Sequence, residues 1–83
     1  MYKIFILPQA QKDLDNLQTK IFNQMKSKIS LLSNNPRPSG CLKLTAEEGY
    51  RVKTGDYRIV YRIDDRRKII YIYRVKHRKE AYK

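Results

Sequence analysis

Apolar residues change rhythm several times along this chain, and each rhythm predicts a different element. Tyr2-Lys3-Ile4-Phe5-Ile6-Leu7 is a short run of β-formers, and Pro8 then suits the first turn of a helix, where a missing N–H costs nothing. Ala10, Leu14 and Leu17 recur at helical spacing, with Asp13 and Asp15 on the remaining surface. Thr19 is placed to cap a second helix. Its Ile21, Met25, Ile29 and Leu32 form one stripe with Phe22 beside it, leaving Lys20, Lys26 and Lys28 outside. Asn34-Asn35-Pro36 ends that helix. Residues 8–33 therefore read as two antiparallel helices joined by a tight turn, and their stripes need a sheet to cover.

Residues 34–40, Asn-Asn-Pro-Arg-Pro-Ser-Gly, have the composition of a connector from helices to strands. Beyond it come Cys41-Leu42-Lys43-Leu44, a hairpin over residues 50–62, a charged turn at Asp64-Asp65-Arg66-Arg67-Lys68, and the run Ile69-Ile70-Tyr71-Ile72-Tyr73-Arg74-Val75. That last run is apolar on both parities. It is either a central strand buried on both sides or one that carries apolar residues onto a functional face as a floor. No internal repeat is visible. The expected architecture is a single α+β domain over residues 1–83: an N-terminal strand and helical hairpin packed on a mainly antiparallel sheet, with a short C-terminal helix or tail.

The hairpin sorts its side chains. With Gly55-Asp56 as a two-residue loop, Lys53 stands opposite Arg58, Val52 opposite Ile59, Arg51 opposite Val60 and Tyr50 opposite Tyr61. Alternation then puts Tyr50, Val52, Tyr57, Ile59 and Tyr61 on one face and Arg51, Lys53, Arg58 and Arg62 on the other. Like charges directly across strands destabilise a sheet unless something anionic lies over them. A phosphate backbone meets that demand.

Composition sharpens the same reading. Nineteen Lys and Arg against eight Asp and Glu give a net charge of +11, which favours a polyanionic partner such as nucleic acid. The bias lies in the second half: residues 49–83 hold twelve bases and four acids, residues 1–48 seven bases and four acids. A membrane surface is the competing polyanion. No apolar run approaches a spanning helix, and the bases fall on strands as well as helices, so an amphipathic anchor is not expected. Met1 leads directly into structured sequence, so no signal peptide is expected and the expected location is the cytoplasm. Cys41 has no second cysteine to pair with, and His77 is the only histidine, so neither a disulfide nor a metal site is expected, nor a small-molecule cofactor.

Six of the seven tyrosines, Tyr50, Tyr57, Tyr61, Tyr71, Tyr73 and Tyr82, also lie in the basic half. Tyrosine stacks on unpaired bases while Arg and Lys hold phosphates, which is the chemistry of single-stranded RNA recognition. The plainer reading makes Tyr50, Tyr57 and Tyr61 sheet core. Tyr82 differs, because it lies beyond the last strand; a helical tail would put it one turn from Arg78, whereas a plain basic terminus would be a solvated tail. Arg62, Arg74, Lys76 and Lys79 complete the set of candidate RNA contacts.

Cleaving RNA through its own 2′-OH requires deprotonation of that hydroxyl, neutralisation of charge on the phosphate oxygens, and protonation of the departing 5′ oxygen. Clustered cations serve the second need directly. Lys53, flanked by Arg51 and facing Arg58, is the candidate base, because neighbouring cations favour release of its proton. Arginine does not readily change protonation state, so Arg58 and Arg78 are candidate charge stabilisers. The histidine and glutamate pair common in acid–base ribonucleases is not evident.

These residues resemble the RelE/ParE superfamily of bacterial type II toxins, particularly the RelE-like ribosome-dependent mRNA endoribonucleases. The resemblance spans nearly the whole chain. It rests on an initial strand, a helical pair, the Lys43-Leu44 strand, Tyr50-Arg51-Val52-Lys53 before Gly55-Asp56-Tyr57-Arg58-Ile59-Val60-Tyr61, and a terminal His77-Arg78 with Tyr82. It implies a metal-independent mRNA interferase that enters the ribosomal A site, cuts the codon there, and is held inactive by a cognate antitoxin encoded beside it. By resemblance the catalytic positions fall on Arg51, Lys53, Arg58, Arg78 and Tyr82, with Tyr82 stacking on or orienting the substrate nucleotide. His77 is a secondary candidate acid or base. Lys76 stands where many relatives have glycine, and Arg51 replaces a lysine of some active members; both keep or add charge. ParE-like members share the fold but poison DNA gyrase and lack RNase activity, so the fold alone does not choose between them. A non-catalytic RNA-binding module is a third possibility, and it would show only a graded loss of affinity when Arg58 or Arg78 is truncated.

Overall fold

The computed structural model describes residues 1–45 and 48–81, the last two as backbone alone. Eight elements follow in order: β1 (Lys3–Ile6), α1 (Pro8–Asp15), α2 (Thr19–Asn34), β2 (Leu42–Lys43), β3 (Tyr50–Thr54), β4 (Tyr57–Asp64), β5 (Ile69–His77) and α3 (Arg78–Ala81). The strands form one sheet in the order β1-β5-β4-β3-β2. Every neighbouring pair is antiparallel except β1 and β5, which run parallel. A parallel pair needs a long crossover, and here all the intervening helices and strands supply it.

Both helices cover one face of the sheet. Ala10 and Leu14 of α1 and Met25, Ile29 and Leu32 of α2 are buried against Val52, Ile59, Tyr61, Ile70, Ile72 and Val75. These are the helical stripes and the hairpin's apolar side that the spacing predicts. One local expectation fails: Thr19 is the first residue of α2 rather than its cap, and Gln18, which holds the cap position, makes no side-chain cap bond. The predicted strand at 41–44 contracts to Leu42 and Lys43.

The two-parity run resolves as a bulge in a central strand. Val60 pairs with Arg74 but the adjacent Tyr61 pairs with Ile72, so Tyr73 is an extra residue on β5. The inserted residue shifts the alternation by one. Ile70 and Ile72 face the core before it, and Val75 faces the core after it. The opposite, open face of β5 therefore carries Tyr71 before the bulge and Arg74 and Lys76 after it, an apolar floor at one end and cations at the other.

Candidate active site

The hairpin forms in the register read from its turn: Tyr50 with Tyr61, Arg51 with Val60, Val52 with Ile59 and Lys53 with Arg58. Gly55, the first loop residue, has φ 60°, a conformation suited to glycine at that position of a tight hairpin turn. Because β5 lies on the far side of β4, Arg58 also pairs with Lys76. Lys53, Arg58 and Lys76 thus form one row of like charge across three strands spaced about 4.8 Å apart. Arg51, Val60 and Arg74 form the next row, with valine between the cations.

These rows floor a cleft of about 620 Å³ lined by Arg51, Arg58, Lys76, Arg74, Tyr73 and Val60, with Leu44 and Glu48 at one wall. A smaller hollow of about 140 Å³ adjoins it, where Lys53 joins Arg51 and Arg58 beside Gly40 and Leu42. Arg51, Arg58 and Lys76 are half-buried, whereas Lys53 is exposed. Glu48 was not singled out by sequence. It is the one carboxylate on the cleft wall among the described residues, and its only signal was its place just ahead of the hairpin.

Several devices hold the walls. The Arg78 N–H donates to the Asp56 carbonyl at 2.7 Å, which fixes the start of α3 to the hairpin tip. Asp13 of α1 covers the part of β5 that outlasts β1: its carboxylate accepts from the Val75 N–H at 2.9 Å and from Arg74 Nε at 2.8 Å. Burial pushes the Asp13 carboxyl up, but those hydrogen bonds outweigh it and hold the group below its ordinary value. At the connector, Arg37 pairs with Asp65 at 2.8 Å and donates to the Tyr50 hydroxyl, while Tyr2 donates to Asp65 at 2.7 Å. Arg37 and Tyr2 together lower the Asp65 pKa to about 2. The buried Tyr61 donates its hydroxyl to the Pro36 carbonyl at 2.7 Å.

Not every predicted site residue joins the cleft. His77 pairs with Tyr57 and meets its ring edge-on at 5.2 Å, on the face opposite the cations. Its Nδ1 accepts from the Lys79 N–H, so it serves the start of α3. Chain adjacency to Arg78 had suggested a shared site; strand alternation turns His77 away. Arg62 lies farther along the open face, packed over Tyr71. Arg78 and Lys79 are exposed at the hairpin end. Tyr82 lies outside the described residues.

Comparison with known proteins agrees with this architecture. The family model for the ParE toxin of the type II toxin–antitoxin system parDE matches residues 4–82. No curated protein sequence matches the chain. Among solved structures, the RelBE2 toxin–antitoxin complex from Mycobacterium tuberculosis aligns with TM-score 0.83 and 29% identity, covering 92% of this chain and 96% of that one. The archaeal RelE–RelB complex from Pyrococcus horikoshii aligns with TM-score 0.79 and 28% identity, covering 93% and 94%. The Escherichia coli RelBE complex aligns with TM-score 0.80 over 93% and 96%, and at 24% identity its likeness is one of fold.

Proposed function

Since the chain belongs to the ParE toxin family of type II toxin–antitoxin systems and has the RelE/ParE fold, we propose that it is a ribosome-dependent endoribonuclease that cuts mRNA in the A site. The observation that carries this reading is the row Lys53–Arg58–Lys76 beside Arg51, which runs along the cleft and its adjoining hollow. A fold does not need three like charges side by side; a phosphate in flight between two oxygens does.

The 2′ oxygen attacks the neighbouring phosphorus, the bond to the 5′ oxygen breaks, and the products are a 2′,3′-cyclic phosphate and a 5′ hydroxyl. Arg51, Arg58 and Lys76 hold the non-bridging oxygens as their charge grows. Lys53, in the adjoining hollow, and Glu48, on the cleft wall, are the proposed acceptors of the 2′-OH proton. Arg78 offsets charge on the departing 5′ oxygen, and Tyr82, which by resemblance orients the substrate base, is the proposed donor of the proton that oxygen takes up. Arg62, Arg74 and Lys79 extend the contact along the RNA backbone. In the cytoplasm such a domain needs restraint, and a cognate antitoxin with an acidic or amphipathic segment fits its +11 surface. The aligned structure from M. tuberculosis is a toxin–antitoxin complex, and that from P. horikoshii is a RelE–RelB complex.

Mapping mRNA 5′ ends after brief induction tests the proposal. Codon-phased cuts that require translation are expected. The family match to ParE favours a second reading, inhibition of DNA gyrase; intact mRNA with inhibited gyrase would establish it and overturn the nuclease.

A further inference from the structure

The open face carries a second feature that the cleft does not use. Phe5 of β1 pairs with Tyr71 of β5, and Tyr71 pairs with Arg62 of β4, so the three stand in one row across neighbouring strands. The Phe5 and Tyr71 rings are stacked, with centroids 5.9 Å apart and planes 18° apart. On the other side of Tyr71, the Arg62 guanidinium carbon lies 4.9 Å from the ring centroid. Arg62 Nε is buried and makes no hydrogen bond among the described residues, and Glu48 approaches only to 3.9 Å. Tyr71 and the long ion pair to Glu48 together hold this guanidinium. Phe5 ends the row on an edge strand, 53% exposed, with the exposed Lys3 two residues away on the same face.

We propose that the Arg62–Tyr71–Phe5 row is a stacking platform for an unpaired base of single-stranded RNA, with Lys3 holding an adjacent phosphate. A base laid on the outer face of Phe5 continues a stack that already contains a cation and two rings. It also removes from water a phenyl surface that the fold leaves open. Arg62 at one end of the row and Lys3 beside the other favour a partner that brings negative charge as well as a flat apolar face, which a nucleotide does. The platform is continuous with the cationic cleft along β5: Tyr71 and Lys76 are five residues apart, roughly 16 Å. One extended RNA strand can thus be stacked at one end and held by its phosphate at the other. The inference rests on the nuclease reading for the identity of its ligand and adds where the strand lies beyond the cut.

The chain contains no tryptophan, so Phe5→Trp supplies a single tryptophan, excited selectively over the seven tyrosines, at the platform itself. Titrated with a 2′-O-methyl RNA oligomer that cannot be cut, the full-length Phe5→Trp protein is expected to show quenching with the same midpoint as binding of the parent measured by anisotropy. Phe5→Leu, which keeps an apolar side chain at an exposed site, is expected to bind the oligomer about tenfold more weakly than the parent. Unquenched tryptophan together with parental affinity in Phe5→Leu overturns the platform; if codon-phased cutting persists in that variant, the nuclease reading survives it. Conversely, quenching with a Phe5→Leu defect but no cutting by the parent keeps the platform and sinks the nuclease. Loss of antitoxin co-purification in Phe5→Leu with RNA binding unchanged would reassign the patch to a protein partner and overturn the proposal.

Discussion

The two faces of the β3–β4 hairpin are made by the same strands and obey opposite rules. On the helix-covered face, Val52, Ile59 and Tyr61 are buried and neutral, and no charged residue is buried among the described residues. On the open face, Lys53, Arg58 and Lys76 stand abreast, half-buried or exposed, with Arg51 beside them. One face lowers its free energy by removing apolar surface from water. The other raises it by crowding like charges, and in a domain this small the first must offset the second. The proposed nuclease role gives that crowding a use, because a phosphate laid over the row would offset it.

Adjacent residues of β4 offer the sharpest way to break that contrast. Ile59→Ala opens a cavity in the fully buried layer and is expected to cost about 2–5 kcal/mol, a large part of the stability of a small domain, read as a fall in the thermal midpoint. A loss well below 1 kcal/mol would mean that the helix-covered face is not where the stability resides. Gly49→Ala should come next. Gly49 has φ 132°, and a Cβ there would lie 2.8 Å from the Tyr61 carbonyl oxygen, so strain of about 1–3 kcal/mol is expected from denaturant titration. This turn precedes β3 and places Glu48 at the cleft, so the same variant should also slow RNA cleavage. The smallest effect concerns the Arg37–Asp65–Tyr2 network. The Asp65 pKa is depressed to about 2 in the folded protein, so its contribution is present above the unfolded value near 3.9 and is lost as pH falls through about 2. Asp65→Asn is expected to flatten the acid limb of a stability–pH curve between about pH 4 and 2; an unchanged limb would assign it to other carboxylates such as Asp13.

Much of this was readable from residue order where the cause is local. Gly55-Asp56 sets the hairpin register, period-two alternation sorts Arg51, Lys53 and Arg58 from Val52 and Ile59, and the Ile21–Met25–Ile29–Leu32 stripe finds the buried side of α2. What was not readable depends on partners far away in the chain. Nothing in residues 2–7 says that this strand pairs in parallel with residues 69–72. The bulge at Tyr73 disguised β5 as apolar on both parities, and only its pairing with β4 shows that Lys76 joins Arg58 while His77 turns toward Tyr57. Glu48 and Phe5 were missed for the same reason: a loop acid and an edge-strand ring acquire meaning only from the residues across from them.

Arg58 is the centre of the cationic row, and Arg58→Ala tests the division of labour between the faces most directly, with RNA cleavage and the thermal midpoint measured on the same preparation. The expected result is a fall in translation-dependent cleavage of at least about 100-fold, with a stability change of about 1 kcal/mol or less. Cleavage that persists at the parental rate, or a loss of cleavage that merely tracks unfolding, would contradict the assignment of the open face to catalysis.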